Sequence, residues 1–131
     1  MTKQERVNLW TADLFGERIL FDKRERAQRF LEEAIELAQA MGLTALDVAL
    51  LADTVMARPP GEPRAEIGGV MVTLYALGTS IGVNVDDAAE QEIVRVNTPE
   101  VRARVLRRQA EKHAAGIAVF QKPVDATDSE E

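Results

Sequence analysis

The sequence predicts an all-α fold, and three observations lead to that class. Ala, Leu, Glu, Arg and Gln dominate the 131 residues, and these residues lose little rotamer freedom in a helix. Aromatic residues make up only 5% of the chain, and the alternation typical of strands never extends beyond a few residues. Residues that begin and end helices recur along the chain at helical intervals. We therefore expect an all-helical domain.

The boundary residues predict each helix in turn. Asp22 and Thr44 are predicted N-caps, Gly42 is a predicted C-cap, and Pro63 suits a first turn. A fourth long helix is expected to begin after an N-cap at Asp86 or Asp87, and a fifth is expected to begin at Thr98-Pro99. In order, the predicted helices cover about 5–15, 22–41, 44–57, 63–82, 86 onward and 98 onward. Residues 1–120 are predicted to form one domain, and the acidic segment 121–131 is predicted to be disordered.

Composition excludes several classes of function. The chain has no cysteine, so disulfides and thiolate metal sites are excluded, and the single His113 cannot build a histidine-rich site. A bound metal would be held by oxygen, which favours Mg²⁺, with Mn²⁺ as a substitute. The net charge of −6 makes nucleic acid a poor partner. Because the chain is short and helical, we expect it to self-associate as a homodimer or homotetramer.

No membrane segment or leader is expected. The N-terminus lacks the apolar core of a signal peptide, so a cytoplasmic location is predicted. The stretch from Ile67 to Val85 has no charged residue, but it contains four glycines and lacks basic flanks. We interpret this stretch as a buried helix of a soluble protein.

Three glutamates cluster on the helix that follows Asp22. Glu32 and Glu36 lie about 40° apart around a helix, and Glu33 and Glu36 about 60° apart. A divalent cation would convert their repulsion into ligation. A solvated acidic face, with Arg29 as a local partner and with the apolar stripe around Phe30 pointing elsewhere, explains the same pattern.

A single glutamate, Glu66, lies in the first turn of the predicted apolar helix that starts at Pro63. Glu66 lies in the same row as Val70 and Leu77, where an ionised carboxylate is costly unless it is paired or binds a metal. Placement in a first turn, where negative charge is favourable, is the alternative. Gly68 and Gly69 follow at once, and each costs about 1 kcal/mol relative to alanine inside a helix. The combination indicates a site or a close helix contact.

A basic row lies on the last predicted helix. Arg104, Arg108 and Lys112 are spaced four residues apart, so they share one side of the helix. Guanidinium and ammonium groups suit phosphate oxygens, which makes these three residues candidate phosphate ligands. A solvated basic face is the alternative.

These motifs resemble a known family. Glu32-Glu33-x-x-Glu36 followed by Glu66 resembles the EExxE…ExxD signature of the MazG-like all-α nucleoside triphosphate pyrophosphatases. Residues 29–40, 58–62 and 66–74 look like the compact MazG-like proteins that are common in phages. Where the signature has its aspartate, this chain has Gly69. Either the site has one ligand fewer or another acid compensates; the candidates are Glu32, Asp53, Asp86 and Glu90.

The resemblance implies an oligomeric helical bundle with four core helices. It also implies a hydrolase that cleaves a (d)NTP to the monophosphate and pyrophosphate. It implies that Glu33, Glu36 and Glu66 hold Mg²⁺, and that Glu32 is a further ligand or orients the attacking water. Basic residues of the last helix would take the phosphate charge. Trp10 is a candidate for stacking on the base. Purine deoxynucleotides, dGTP and dATP, are the expected substrates.

Other functions stay open on the sequence. A chain of this fold that lacks the aspartate can be a nucleotide-binding or interaction module without catalysis. Phosphoribosyl-ATP pyrophosphohydrolase shares the acidic motif, and a purely structural helical oligomer is the third alternative. A di-iron bundle is disfavoured because no glutamate has a histidine three residues later.

Overall fold

The computed structural model describes residues 1–115, which form seven α-helices and no strand. This confirms the predicted all-α class. The helices are α1 (Lys3–Phe15), α2 (Glu17–Leu20), α3 (Lys23–Ala40), α4 (Ala45–Met56), α5 (Pro63–Ser80), α6 (Val85–Val96) and α7 (Pro99–Ala114). The predicted acidic segment 121–131 lies outside the described residues.

Local capping explains most of the helix boundaries. Asp22 Oδ1 accepts a hydrogen bond from Glu25 N at 3.0 Å, so Asp22 begins α3 as predicted. Thr44 and Asp47 form a capping box at the start of α4. Gly42, with φ of +93°, ends α3 in the left-handed region that favours glycine. The helix ends are therefore encoded within a few residues of each boundary.

The helices differ from the sequence prediction in two places, at the start of α6 and at α2. Asn84, rather than Asp86 or Asp87, caps α6, because its Oδ1 accepts a hydrogen bond from Asp87 N at 2.8 Å. The short α2 was not predicted at all. Gly16, with φ of +90°, ends α1 and turns the chain directly into α2.

The chain divides into two compact units. The first unit comprises Met1–Glu33 together with Glu92–Glu131, of which residues up to 115 are described, and the second comprises Ala34–Gln91. In the first unit α1 packs on α2 and on α7. Trp10 Nε1 donates a hydrogen bond to the Val96 carbonyl oxygen at 3.1 Å, and Arg102 forms an ion pair with Asp13. Ile93 and Val101 are each 8% exposed and form the small apolar core of this unit.

The second unit buries very little of its own surface. Among residues 34–91 only Gly78 is buried, beneath the α5–α6 turn, where an added Cβ would meet Val83 O and Val85 Cγ2. Tyr75 Oη donates a hydrogen bond to Asp86 Oδ1 at 2.9 Å, and this bond raises the pKa of Tyr75. The expectation that the uncharged helix would be buried is wrong for this chain, because α5 has the apolar composition of a core helix but is exposed along most of its length.

Within residues 1–115, none of the helices alone is long and apolar enough to cross a bilayer. Pro63–Ser80 and Val85–Val96 meet the length and composition test only when they are taken together, and the chain bends by 100° between them.

Candidate functional site

A row of charged residues runs along one face of α3. Glu25, Arg29, Glu32 and Glu36 follow one another at intervals of four, three and four residues. At about 100° per residue, such spacing keeps all four within about 60° of arc. The first three of these residues belong to the first unit, and Glu36 belongs to the second.

Glu25 is the most deeply buried charged group in the first unit. Its side chain is 0% exposed. Its Oε2 accepts hydrogen bonds from Arg26 Nη2 at 3.0 Å and from Gln109 Nε2 at 3.2 Å. Arg29 Nε lies 3.5 Å from the same oxygen. A buried carboxylate is tolerated only with such partners, and the hydrogen bond from the Gln109 amide joins α7 to α3 at this carboxylate.

Glu32 forms ion pairs with two cationic side chains. Lys112 Nζ lies 2.9 Å from Glu32 Oε1, and Arg29 Nη1 lies 3.1 Å from the same atom. Lys112 belongs to α7 and is 80 residues away in the chain. The structure therefore brings the first glutamate of the EExxE motif together with one of the three predicted phosphate ligands.

The apolar stripe of α3 does not account for the burial of this helix. Phe30, at the start of that stripe, is 52% exposed. Glu32, on the charged face, is only partly exposed and is ion-paired. The interpretation as a solvated acidic face with Arg29 as a local partner fits the exposed Glu33 and Glu36, and it also fits Glu32, whose side chain is 42% exposed and lies 3.1 Å from Arg29 Nη1.

The predicted metal ligands are not gathered into one cluster. Glu33 and Glu36 are exposed on α3, and Glu66 is exposed in the first turn of α5. The Glu66 carboxylate lies against Gly61, where an added Cβ would overlap its Oε2. Within residues 1–115 no three His, Cys, Asp or Glu side chains form a group that could hold a metal ion. The donor type suits Mg²⁺, but this arrangement of one chain does not converge three of these oxygens on a point.

The other two members of the basic row stand apart from the acidic motif. Arg104 and Arg108 are exposed on α7, and neither is paired with another described residue. Because successive members of such a row rotate by about 40°, only Lys112 faces α3 here. Within residues 1–115, neither arginine has an ion pair that a phosphate would have to displace.

Trp10 lines a cleft in the first unit. The cleft has a volume of about 490 Å³ and is bordered by Met1, Leu9, Trp10 and four polar residues, Arg6, Asp13, Asn97 and Arg102. This volume is in the usual range for small-molecule sites. The Trp10 ring also meets Phe15 edge-on, with centroids 6.0 Å apart. The indole is therefore held in place while it borders the cleft, as a stacking surface requires.

Glu25, Arg26 and Gln109 were not among the site residues predicted from the sequence. The spacing of Glu25, Arg29 and Glu32 was a usable signal, because a four-then-three repeat marks one helix face whether its residues are apolar or charged. Comparisons with protein-family models, with curated proteins and with solved structures found no match to this chain.

Proposed function

We propose that this chain is a Mg²⁺-dependent nucleoside triphosphate pyrophosphohydrolase of the MazG-like kind. It would convert a (d)NTP and water to the (d)NMP and pyrophosphate, with dGTP and dATP as the preferred substrates. The observation that carries the proposal is the 2.9 Å ion pair between Lys112 and Glu32. It places a cation suited to phosphate beside the first residue of an acidic motif suited to a metal.

The proposed metal ligands remain Glu33, Glu36 and Glu66, with Glu32 as a further ligand or as the group that orients the attacking water. Their carboxylate oxygens match the chemistry of Mg²⁺. A bound Mg²⁺ supplies neutralisation of the triphosphate charge and activation of a water.

Four cationic side chains of this chain would neutralise charge or bind phosphate in the proposed site. Lys112 neutralises Glu32 in the absence of substrate, and a phosphate oxygen would compete for the same ammonium. Arg29, whose Nε lies 3.5 Å from Glu25 Oε2 and whose Nη1 lies 3.1 Å from Glu32 Oε1, would keep a positive charge beside Glu32. Arg104 and Arg108 would add charge at the outer phosphates. Trp10, bordering the cleft of the first unit, would stack on the base.

Pyrophosphate release from a panel of NTPs, dNTPs and phosphoribosyl-ATP, with Mg²⁺ or Mn²⁺, tests the proposal. We expect turnover of dGTP or dATP, and a loss of at least about 100-fold in Glu36→Gln because a carboxylate ligand is removed. Glu111→Gln is the matched control, since Glu111 is an exposed glutamate on α7 outside the motif. Turnover of phosphoribosyl-ATP alone would replace the dNTP assignment.

A second function is favoured by two observations. The lack of a three-carboxylate group among residues 1–115, together with Gly69 in place of the signature aspartate, suits a module that binds nucleotides without cleaving them. Isothermal titration with dATP and Mg²⁺ would then give binding heat while no pyrophosphate appears. A purely structural oligomer would give neither.

A further inference from the structure

The cleft of the first unit combines an aromatic ring with an exposed carboxylate. Trp10 and Asp13 both border the cleft and lie three residues apart on α1, so their side chains leave the helix about 60° apart. Arg102, from α7, borders the same cleft and forms an ion pair with Asp13. A planar ring that enters the cleft would therefore meet a stacking surface and charged hydrogen-bonding groups together.

The ion pair between Asp13 and Arg102 contributes little to the stability of the fold. The Asp13 side chain is 73% exposed and that of Arg102 is 26% exposed. Ion pairs with so exposed a member add little to stability, because water screens them. Since solvent reaches most of the Asp13 side chain, a ligand can reach it as well.

A series of hydrogen bonds orients the Asp13 carboxylate from the side of α7. Arg102 Nη2 donates to Asp13 Oδ2, and Arg102 Nη1 donates to Asn97 Oδ1 at 3.2 Å. The Asn97 amide in turn donates to the Ile93 carbonyl oxygen at 3.3 Å. Ile93 is buried, so the series begins in the core of the first unit. A carboxylate that is already oriented can select a ligand by geometry, because the ligand need not order it first.

The paired side chains keep hydrogen-bonding capacity for a ligand. Among residues 1–115, Asp13 Oδ1 has no hydrogen-bond partner. An ionised carboxylate accepts at both oxygens, and each oxygen has two lone pairs. The contacts of Arg102 with Asp13 and Asn97 use two of the five N–H donors of its guanidinium. The pair therefore offers two adjacent acceptor atoms with a donor beside them.

This arrangement of acceptors and donor matches one of the common bases. The Watson–Crick edge of guanine presents two adjacent donors, N1–H and the 2-amino group, next to the O6 acceptor. Adenine and cytosine present a ring-nitrogen acceptor beside their amino group, and thymine and uracil present a single N–H between two carbonyl groups. With any of these bases one oxygen of the carboxylate would face an acceptor, which is repulsive.

We propose that the cleft of the first unit is a guanine-selective site, in which Asp13 accepts hydrogen bonds from N1–H and the 2-amino group, Arg102 donates to O6 and Trp10 stacks on the ring. The site deepens the proposed function, because it makes dGTP rather than dATP the preferred substrate. Only the link to hydrolysis rests on that function. Binding of the base depends on the cleft alone.

Isothermal titration of the full chain with the monophosphates of guanosine, adenosine, inosine and xanthosine tests the site. The four ligands share the ribose phosphate, and none contains the bond that the proposed reaction cleaves, so differences in affinity report the base. We expect guanosine monophosphate to bind at least about tenfold more tightly than adenosine monophosphate, because it donates two hydrogen bonds to a charged acceptor. Inosine monophosphate, which lacks the 2-amino group, should fall between them.

The variant Asp13→Asn should change the preference of the site from guanine to xanthine. An asparagine amide keeps one acceptor and replaces the other with a donor, which suits the N1–H and the O2 carbonyl of xanthine. We expect this variant to bind guanosine monophosphate at least about tenfold more weakly and xanthosine monophosphate at least about tenfold more tightly than wild type. A carboxylate that only pairs with Arg102 would give no such gain.

Glu17→Gln is the matched control. Glu17 is an exposed glutamate of the first unit and does not border the cleft, so this variant loses one negative charge and should keep the wild-type order of affinities. Wild-type chain that binds adenosine monophosphate as tightly as guanosine monophosphate, or that binds neither, would overturn the site whether or not Asp13→Asn folds. A folded Asp13→Asn variant with no gain for xanthosine monophosphate would overturn it too.

The base site and the hydrolase can fail separately. Selective binding of guanosine monophosphate without turnover of any nucleoside triphosphate would support the site and refute the hydrolase. Turnover of dGTP and dATP with equal kcat/KM would support the hydrolase and overturn the guanine assignment.

Discussion

Lys112 and Glu32 join the last described helix to the third. Lys112 Nζ lies 2.9 Å from Glu32 Oε1, and Arg29 Nη1 approaches the same oxygen at 3.1 Å. Both the lysine and the glutamate are partly exposed, so the pair adds little to stability. Its importance is chemical, because it sets an ammonium group beside an acidic motif.

Replacing Lys112 should weaken substrate binding while leaving the stability of the fold almost unchanged. Lys112→Ala should raise KM for dATP about ten- to a hundredfold, because a charge-assisted hydrogen bond to phosphate contributes about 1.5–3 kcal/mol. The free energy of unfolding should fall by less than about 1 kcal/mol. Steady-state kinetics and urea unfolding measure the two effects. Lys112→Arg should restore part of the affinity, and an unchanged KM in Lys112→Ala would remove Lys112 from the phosphate site.

Glu25 should control the stability of the first unit. Glu25→Gln should lower the free energy of unfolding by about 3 kcal/mol, because Arg26 and Arg29 would keep their charge beside a neutral group inside the protein. Urea unfolding followed by far-ultraviolet circular dichroism measures the change. Glu111→Gln removes an exposed glutamate and should stay within about 0.5 kcal/mol of wild type. Equal stability of the two variants would show that Glu25 reaches solvent.

The capping box of α4 predicts a pH dependence. Hydrogen bonds from the backbone and the side chain of Thr44 hold the pKa of Asp47 below its ordinary value of 3.8. A depressed carboxyl pKa gives a stabilisation that is present above 3.8 and is lost as the pH falls through the native pKa. The advantage of wild type over Asp47→Asn should therefore shrink between about pH 5 and pH 2.5.

Urea unfolding of both proteins across this range provides the measurement. Asp53→Asn removes a carboxylate from the same helix outside the capping box and serves as the control. A difference between wild type and Asp47→Asn that stays constant with pH would contradict the capping role of the charged form.

Trp10 offers a direct test of base stacking, since it is the only tryptophan in the chain. Binding of dATP or dGTP should change its fluorescence, because a base stacked on the indole quenches or shifts the emission. Pyrophosphate alone should leave the emission unchanged, because it has no ring to stack. An equal response to pyrophosphate would indicate that the cleft beside Trp10 does not receive the base.

The helices of this protein are predictable because their boundaries are local. Thr44 with Asp47, Gly42 and Pro63 act within one turn of each helix end, and the predicted boundaries near them agree with the structure to within a few residues. Asn84 was overlooked because two aspartates follow it closely, and only the hydrogen bond to Asp87 N distinguishes the cap.

The packing was less predictable because it depends on which faces meet. The apolar stripe of α3 suggested an inward face, yet Glu25 on the charged face is the buried residue and Phe30 is exposed. The spacing of apolar residues predicts that a helix has two different faces. It does not predict what each face packs against, because that depends on contacts with distant residues and with other molecules. The pairing of Glu32 with Lys112 spans 80 residues and leaves no local signal.

The sparse burial between Ala34 and Gln91 has a thermodynamic consequence. When a segment finds most of its apolar contacts in another molecule, its folding and its assembly are governed by one mass-action equilibrium. The midpoint temperature of thermal unfolding should then rise with the protein concentration. Dilution alone would loosen α4 and α5, so the number of molecules in the cell would help to set how firmly each one is folded.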